Sequence, residues 1–303
     1  MIDRLEAMAI LLRVVDKGGF SAASRDLGVP LATVSRKVNA LEKHLGTRLL
    51  LRTTRTVALT ETGAAYVAEA RRLLDEIDEV ERVAAGEFQA PRGELILTAP
   101  VSYGRLHVLP VVTEFLAAYP EINVSLLLSN RNLHFVEDHV DIAVRFGPLP
   151  DSTMIATRVG SMRTVVCASP KLLAGHSVPK APADLPRLPC VSFEFLAPAS
   201  SWPFRPRGGK AIVDVPIQPR LSVTSAEAAV WAACEGAGAT RVLHYQCADA
   251  VRDGSLQIIL EDFELPPQPI HLLHAGRGTL PTKTRTFFDF AAKRLRERMK
   301  DFG

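Results

Sequence analysis

The chain is poor in the residues that most often signal chemistry. Its 303 residues hold 4 cysteines, 2 tryptophans and 4 tyrosines, and aromatic residues make up only 6%. Cys167, Cys190, Cys234 and Cys247 are widely spaced and form no paired metal or redox motif, so they read as buried thiols of a reducing compartment. There is no nucleophile elbow, no metalloprotease signature and no phosphate loop. His271 and His274 stand three apart in a strand-like run, point to opposite faces and cannot chelate one metal together. An enzyme is therefore not expected, nor any cofactor or metal. Apolar runs are too short to span a bilayer, and the opening Met-Ile-Asp-Arg-Leu-Glu is not a signal peptide. These absences exclude a membrane partner and predict a cytoplasmic protein.

The net charge of +3 does not by itself argue for nucleic acid, but its distribution does. Residues 1–60 carry about +5 and residues 61–90 about −5, as expected of a basic DNA-facing lobe beside an acidic connector. The length allows two or three domains with their own cores.

The run from Phe20 to Gly46 reads as two helices joined by a tight turn. Ser21 can cap the first, Gly28 can end it, and Pro30 fits the first turn of the second. Val34, Val38, Leu41 and Leu45 recur at steps of three and four, giving one buried stripe. The opposite face carries Ala32, Arg36, Asn39 and Lys43, with Thr33 and Ser35 at its margins. That is what a helix in a DNA major groove requires, although an ordinary helical hairpin with a solvated face has the same pattern. Arg48–Leu59 then reads as two short strands around Thr53–Arg55, a wing whose Arg52 and Arg55 can reach phosphates or a minor groove.

Met1–Leu59 resembles the winged helix-turn-helix of LysR-type transcriptional regulators. The matching residues are Phe20-Ser21-Ala22-Ala23, Leu27-Gly28-Val29, Val34-Ser35-Arg36, Leu41-Glu42, Leu45-Gly46 and, just beyond, Leu59-Thr60-Glu61-Thr62-Gly63. Where the family often has Ser or Thr followed by Gln, this chain has Pro30 and Leu31, so Leu31 is placed to touch a thymine methyl. The expected DNA-contacting set is Ser21, Leu31, Thr33, Ser35, Arg36, Lys37, Arg52, Thr53 and Arg55. Before this motif, Leu5, Met8, Ala9, Leu12 and Val15 form a helical stripe expected to complete its core.

Thr60 can cap a long helix from about Glu61 to Phe88, with Gly63, Tyr66, Ala70, Leu73, Ile77, Val80 and Ala84 as a heptad seam. The seam predicts a two-fold dimer, or else a helix packed on the following domain. Residues 86–93 read as a hinge. Beyond it, strands alternate with helices, which implies parallel pairing. The strands are Leu95–Ala99, Asn123–Leu128, Asp141–Phe146, Thr164–Ala168, Cys190–Phe193, Leu221–Val223 and Ile270–His274. The helices are one ending near Tyr119, a short one at Leu133–Asp138, then Ser225–Glu235 and Lys283–Lys300, while Pro170–Leu173 follows the strand Thr164–Ala168. This order resembles the effector domain of LysR-type regulators, α/β with two Rossmann-like lobes, similar to periplasmic solute-binding proteins. The expected organisation is a DNA-binding domain over 1–60, a linker and dimerisation helix over 61–90, and an effector-binding domain over 91–303. Within the last, lobe one takes about 91–162 and 269–303, and lobe two about 163–268.

Open α/β lobes bind ligands beyond the carboxyl ends of their strands, where helix N-termini favour anions. Ser102, Ser129 and Ser225 occupy such positions, although capping or turn formation accounts for each serine singly. The resemblance implies that the loops of Ser102 and Ser129 and the segment around Phe193 line an inducer cleft. Tyr103, Arg145 and Phe146 could add aromatic walls and a charge. The resulting expectation is a ligand-responsive regulator that binds an interrupted palindrome as a dimer or tetramer. A small organic acid in the cleft would alter DNA bending and access for RNA polymerase. The competing class is a cytosolic solute-binding protein or sensor whose helix-turn-helix mediates protein contacts.

Overall fold

The computed structural model describes residues 3–52, 57–84, 90–131, 135, 140–149, 154–193, 200–206, 209, 211–275 and 280–302. They form two compact units, 1–89 and 90–303.

The first unit opens with α1 (Arg4–Asp16), capped by the Asp3 carboxylate, which accepts from the Glu6 N–H at 3.1 Å. Its buried face is Ala7, Ile10, Leu11 and Val14, joined by Leu12. This corrects the expected stripe, since Leu5 and Ala9 are exposed. Two apolar rows at three-four spacing run side by side here, and periodicity alone does not say which one faces inward. α2 (Phe20–Leu27) begins after Gly19, so Ser21 lies inside the first turn and is not the cap. Gly28, with φ 66°, closes α2 in the left-handed conformation that a Cβ disfavours. α3 (Leu31–Leu45) buries Val34, Val38 and Leu41 completely, while Leu45 is exposed and ends the stripe one turn early.

The wing strands β1 (Leu50–Arg52) and β2 (Val57–Leu59) pair antiparallel, Leu50 opposite Leu59 and Arg52 opposite Val57. The Glu42 carboxylate fastens them to α3 by accepting from the Leu49 and Leu50 N–H groups at 2.8 and 3.1 Å. In α4 (Glu61–Ala84), Thr60 caps the start by accepting from the Gly63 N–H at 2.8 Å. Val67 and Ala70 are buried in the core of this unit, with Tyr66 and Leu74 packed against it. Leu73 and Val80 stay exposed, Val80 by 68%. The segment expected as a hinge lies partly outside the described residues, as does the expected helix at 133–138.

The second unit contains two sheets. Its elements in order are β3 (Gly93–Ala99), α5 (Val101–Tyr103), a π-helical turn (Gly104–Val108), α6 (Leu109–Ala118), β4 (Ile122–Leu128), β5 (Ile142–Phe146), β6 (Met154–Met162), β7 (Thr164–Ala168) and α7 (Pro170–Ala174). There follow β8 (Pro189–Phe193), β9 (Ser201–Phe204), β10 (Val213–Pro216), β11 (Gln218–Val223), α8 (Ala226–Cys234), β12 (Ala239–Leu243), α9 (His244–Arg252), β13 (Gln257–Ile259), β14 (Gln268–Ala275) and α10 (Thr282–Met299). One sheet has the order β4-β3-β5-β14-β6 and the other β11-β8-β12-β7-β13, with β9 and β10 as a separate ribbon.

The expectation of parallel pairing holds only in part. β3 runs parallel to β4 and β5, and β8 parallel to β11 and β12, but β14 is antiparallel to β5 and β6, and β7 to β12 and β13. The antiparallel strands adjoin the places where the chain passes between sheets, from β6 into β7 and from β13 to β14. No helical crossover intervenes there to force a parallel return. Arg163, at the first passage, donates to both Glu264 oxygens at 2.8 Å and to Glu261 at 2.7 Å, and both carboxylates lie on the return passage. These bonds hold the guanidinium pKa above its ordinary value against the effect of burial.

The first sheet packs on α6 and α10 through Phe115, Phe287, Ala291 and Leu295, and the second closes over Leu185, Trp202, Phe204 and Ile217. Cys167, Cys190 and Cys247 are buried free thiols and Cys234 is half-buried, as their scatter predicts. Burial pushes the Cys190 thiol up to about 11.

A Cβ at Gly63 would lie 1.9 Å from the Leu49 carbonyl oxygen, where β1 and α4 meet. Gly63→Ala should therefore force α4 off the wing and lower the stability of the N-terminal unit by about 1–3 kcal/mol. Thermal unfolding of the variant beside the parent checks this, and an unchanged transition would contradict the close approach.

Candidate functional site

On α3, Leu31, Arg36, Asn39 and Lys43 are exposed, and Thr33 and Ser35 are half-buried at the margin. Ser21 is exposed on α2. The helix thus presents Leu31 and Arg36 outward from a face whose reverse is sealed by Val34, Val38 and Leu41. Lys37 differs from the expectation. It is half-buried and its ammonium pairs with Glu6 of α1, which leaves it an internal brace more than an open cation. Arg52 ends β1, and Thr53 and Arg55 lie outside the described residues. Asp26, on α2, pairs with Lys17 at 2.7 Å, and the lysine holds its carboxyl below the usual range.

The second site forms where strands of the two sheets end. β3 delivers Ser102, β4 delivers Ser129 and β11 delivers Ser225, and all three line one cleft of about 300 Å³. Val101, Leu128, Asn130, Arg131, Thr224, Ala226 and Glu227 complete its lining. Ser102 is 9% exposed. Ser129 accepts from the Arg131 N–H at 3.1 Å, and Asn130 accepts from the Val101 N–H at 3.1 Å, tying the two lobe-one loops together. Ser225 caps α8 by accepting from the Ala228 N–H at 3.4 Å, so capping and cleft lining coincide in one residue.

The expected aromatic walls are elsewhere. Tyr103 is fully buried, edge-on to Phe146 at 5.1 Å and to Tyr245 at 5.6 Å, and 4.9 Å from His107. Burial pushes the Tyr103 and Tyr245 hydroxyls up and pulls His107 down to about 4, so all three stay uncharged near neutrality. Phe146 packs into this same cluster, and Phe193 into the lobe-two core beside Val191 and Ala229. Arg145, on β5 opposite His271, is half-buried and its pKa is lowered by burial. Among the described residues, none of Tyr103, Arg145, Phe146 and Phe193 lines the cleft.

Asn130, Arg131, Thr224 and Glu227 were not anticipated. Asn130 and Arg131 directly follow Ser129, so the strand-end rule that found the serine would have reached them. Arg105, in the π-helical turn, joins Glu227 across the lobes at 2.7 Å, and nothing in the sequence links two residues so far apart. Among the described residues no group of three His, Cys, Asp or Glu could hold a metal, and no helix is long and apolar enough to cross a membrane.

Two family models match the chain. The bacterial regulatory helix-turn-helix of the lysR family covers residues 5–64, and the LysR substrate binding domain covers residues 88–296. The chain belongs to the LysR family of transcriptional regulators. It is 34% identical to an HTH-type transcriptional regulator of Xanthomonas campestris over 97% of this chain and 86% of that one. It is 32% identical to an HTH-type transcriptional repressor of Pseudomonas aeruginosa over 98% and 93%. Among solved structures, CrgA of Neisseria meningitidis, a LysR-type transcriptional regulator, superposes with a TM-score of 0.61 at 29% identity, covering 96% of this chain and 98% of that one. The full-length Vibrio cholerae virulence activator AphB gives 0.60 at 26%, covering 95% and 98%. This LysR-type regulator thus combines a winged helix-turn-helix for DNA with an α/β domain for a small-molecule effector. The protein-contact alternative is not favoured.

Ser225 carries a cap, whereas the Ser102 hydroxyl caps no helix among the described residues. Ser225→Ala should lower the melting stability of the protein by about 1 kcal/mol, whereas Ser102→Ala should leave it near the parent value. Differential scanning calorimetry separates the two, and equal losses would contradict the assigned cap.

Proposed function

We propose that this LysR-type regulator acts in the cytoplasm as a dimer or tetramer on an interrupted palindromic operator. In this reading Leu31, Thr33, Ser35 and Arg36 read bases, while Ser21 and the wing residues Arg52, Thr53 and Arg55 hold the backbone. A small organic acid bound at Ser102, Ser129 and Ser225 alters DNA bending and access for RNA polymerase. The observation that carries the effector half is the convergence of three serines, far apart in the chain, on one cleft. Hydroxyls and the N-terminus of α8 donate hydrogen bonds suited to a carboxylate. Because the aromatic rings lie in the core, shape selection falls to Val101, Leu128 and Ala226, which favours a compact acid.

Arg36→Ala should cost about 1–3 kcal/mol of operator affinity and relax preference at one base position, measured by anisotropy titration against a set of single-base operator variants. Unchanged affinity would remove Arg36 from the reading face.

The dimer rests on the outer part of α4, where Leu73 and Val80 are exposed and Ile77 is half-buried between them. An aspartate at Ile77 would place an uncompensated charge in a helix-pair seam. Ile77→Asp should shift the particle to monomer in light scattering at micromolar concentration. A folded dimer of this variant would assign the association to another surface.

A further inference from the structure

Glu227 occupies a place in the cleft that its own chemistry does not require. It lies in the first turn of α8, on lobe two, and is one of the residues that line the cleft. Its partner Arg105 belongs to lobe one. Tyr103, Gly104, His107 and Val108 are all buried, so the π-helical turn is pinned inward on both sides and Arg105 is the residue it turns outward. The guanidinium reaches across to Glu227 at 2.7 Å, and both side chains remain about half exposed.

We propose that Arg105 selects the charge of the effector and that Glu227 is its resident counter-ion, a carboxylate displaced when an acidic effector enters. The proposal rests on the effector-cleft reading above and adds a specificity determinant to it. An ion pair this exposed contributes little to stability, so exchanging its anion costs little. The incoming carboxylate takes over the charge-assisted hydrogen bond of Arg105. Arg105 does not itself line the cleft and reaches it through Glu227, the acidic residue of the lining. With Glu227 turned aside, its negative charge leaves the lining, and the Arg105 guanidinium joins the hydroxyls of Ser102 and Ser129 as donors to an anion. The exchange also replaces a direct lobe-to-lobe bond with one through the ligand. The effector thereby makes different contacts in the two states, which an effector must do to shift an equilibrium between them.

The test uses the full-length protein. Isothermal titration is run with benzoate, succinate and 2-oxoglutarate, and with benzamide and benzylamine as neutral and cationic counterparts of benzoate. At least one acid should bind the parent in preference to the neutral and cationic compounds. For that acid, Arg105→Gln should weaken binding about tenfold and Glu227→Gln should strengthen it severalfold. An unchanged thermal unfolding transition and far-ultraviolet circular dichroism of each full-length variant control for unfolding of the effector domain. An acid that binds the parent and both variants equally would overturn the charge selection while leaving the cleft intact. Benzylamine binding that is lost in Glu227→Gln would reverse the assigned charge. Binding of no compound to the parent or to Glu227→Gln would overturn the effector-cleft reading itself.

Discussion

Every functional position in the effector domain depends on the direction of a few parallel strands. β3, β4 and β11 each run so that their carboxyl ends open on the same cleft, and a serine follows each of them directly or within three residues. Parallel pairing aligns β3 with β4 automatically, because neighbouring parallel strands finish at one edge, whereas β11 reaches the cleft from the other sheet. The loops are then free to vary in chemistry, whereas the place where they meet is not. In the N-terminal unit an analogous constraint acts at shorter range. Glu42 holds the start of β1, and Gly63 lets α4 approach the Leu49 carbonyl closely, so recognition helix, wing and long helix share one anchor.

The parts of the fold that could be read from sequence are those with a local signal. α3 announces its buried stripe by spacing and its end by Gly46, and Ser102, Ser129 and Ser225 stand where an apolar strand gives way to a helix or turn. What escaped needed information from elsewhere in the chain. The correct face of α1 is chosen by Ala23, Val38 and Leu41 packing against it, not by α1 itself. Strand β6 has few fully buried residues and contains Gly160, which fits against Met299 of α10, so it lacks the pattern of a core strand. Tyr103 and Phe146 looked like ligand walls because each lies at a strand end or just beyond one, and Phe193 because the family resemblance placed its segment in the cleft. Their rings turn inward instead, where Tyr103, Phe146, Tyr245 and His107 fill the core together.

That cluster joins the lobes from behind. Tyr245 begins α9 of lobe two yet packs among lobe-one residues, and its ring faces Tyr103, the residue just after Ser102. The polar front of the cleft and the apolar mass behind it are therefore built on consecutive residues. A change at Ser102 cannot propagate freely into Tyr103, because close-packed rings tolerate few alternative arrangements. The cleft has a firm back wall and an exchangeable ionic rim.

The triple contact of Arg163 with Glu261 and Glu264 gives the two lobes a shared axle. Both chain passages between the sheets are strapped at one point, so sliding of one lobe along the other would have to break all three bonds together. Rotation about the line through the two passages stretches none of them. Of the relative motions two bodies can make, a swing about that line is the one this strap resists least.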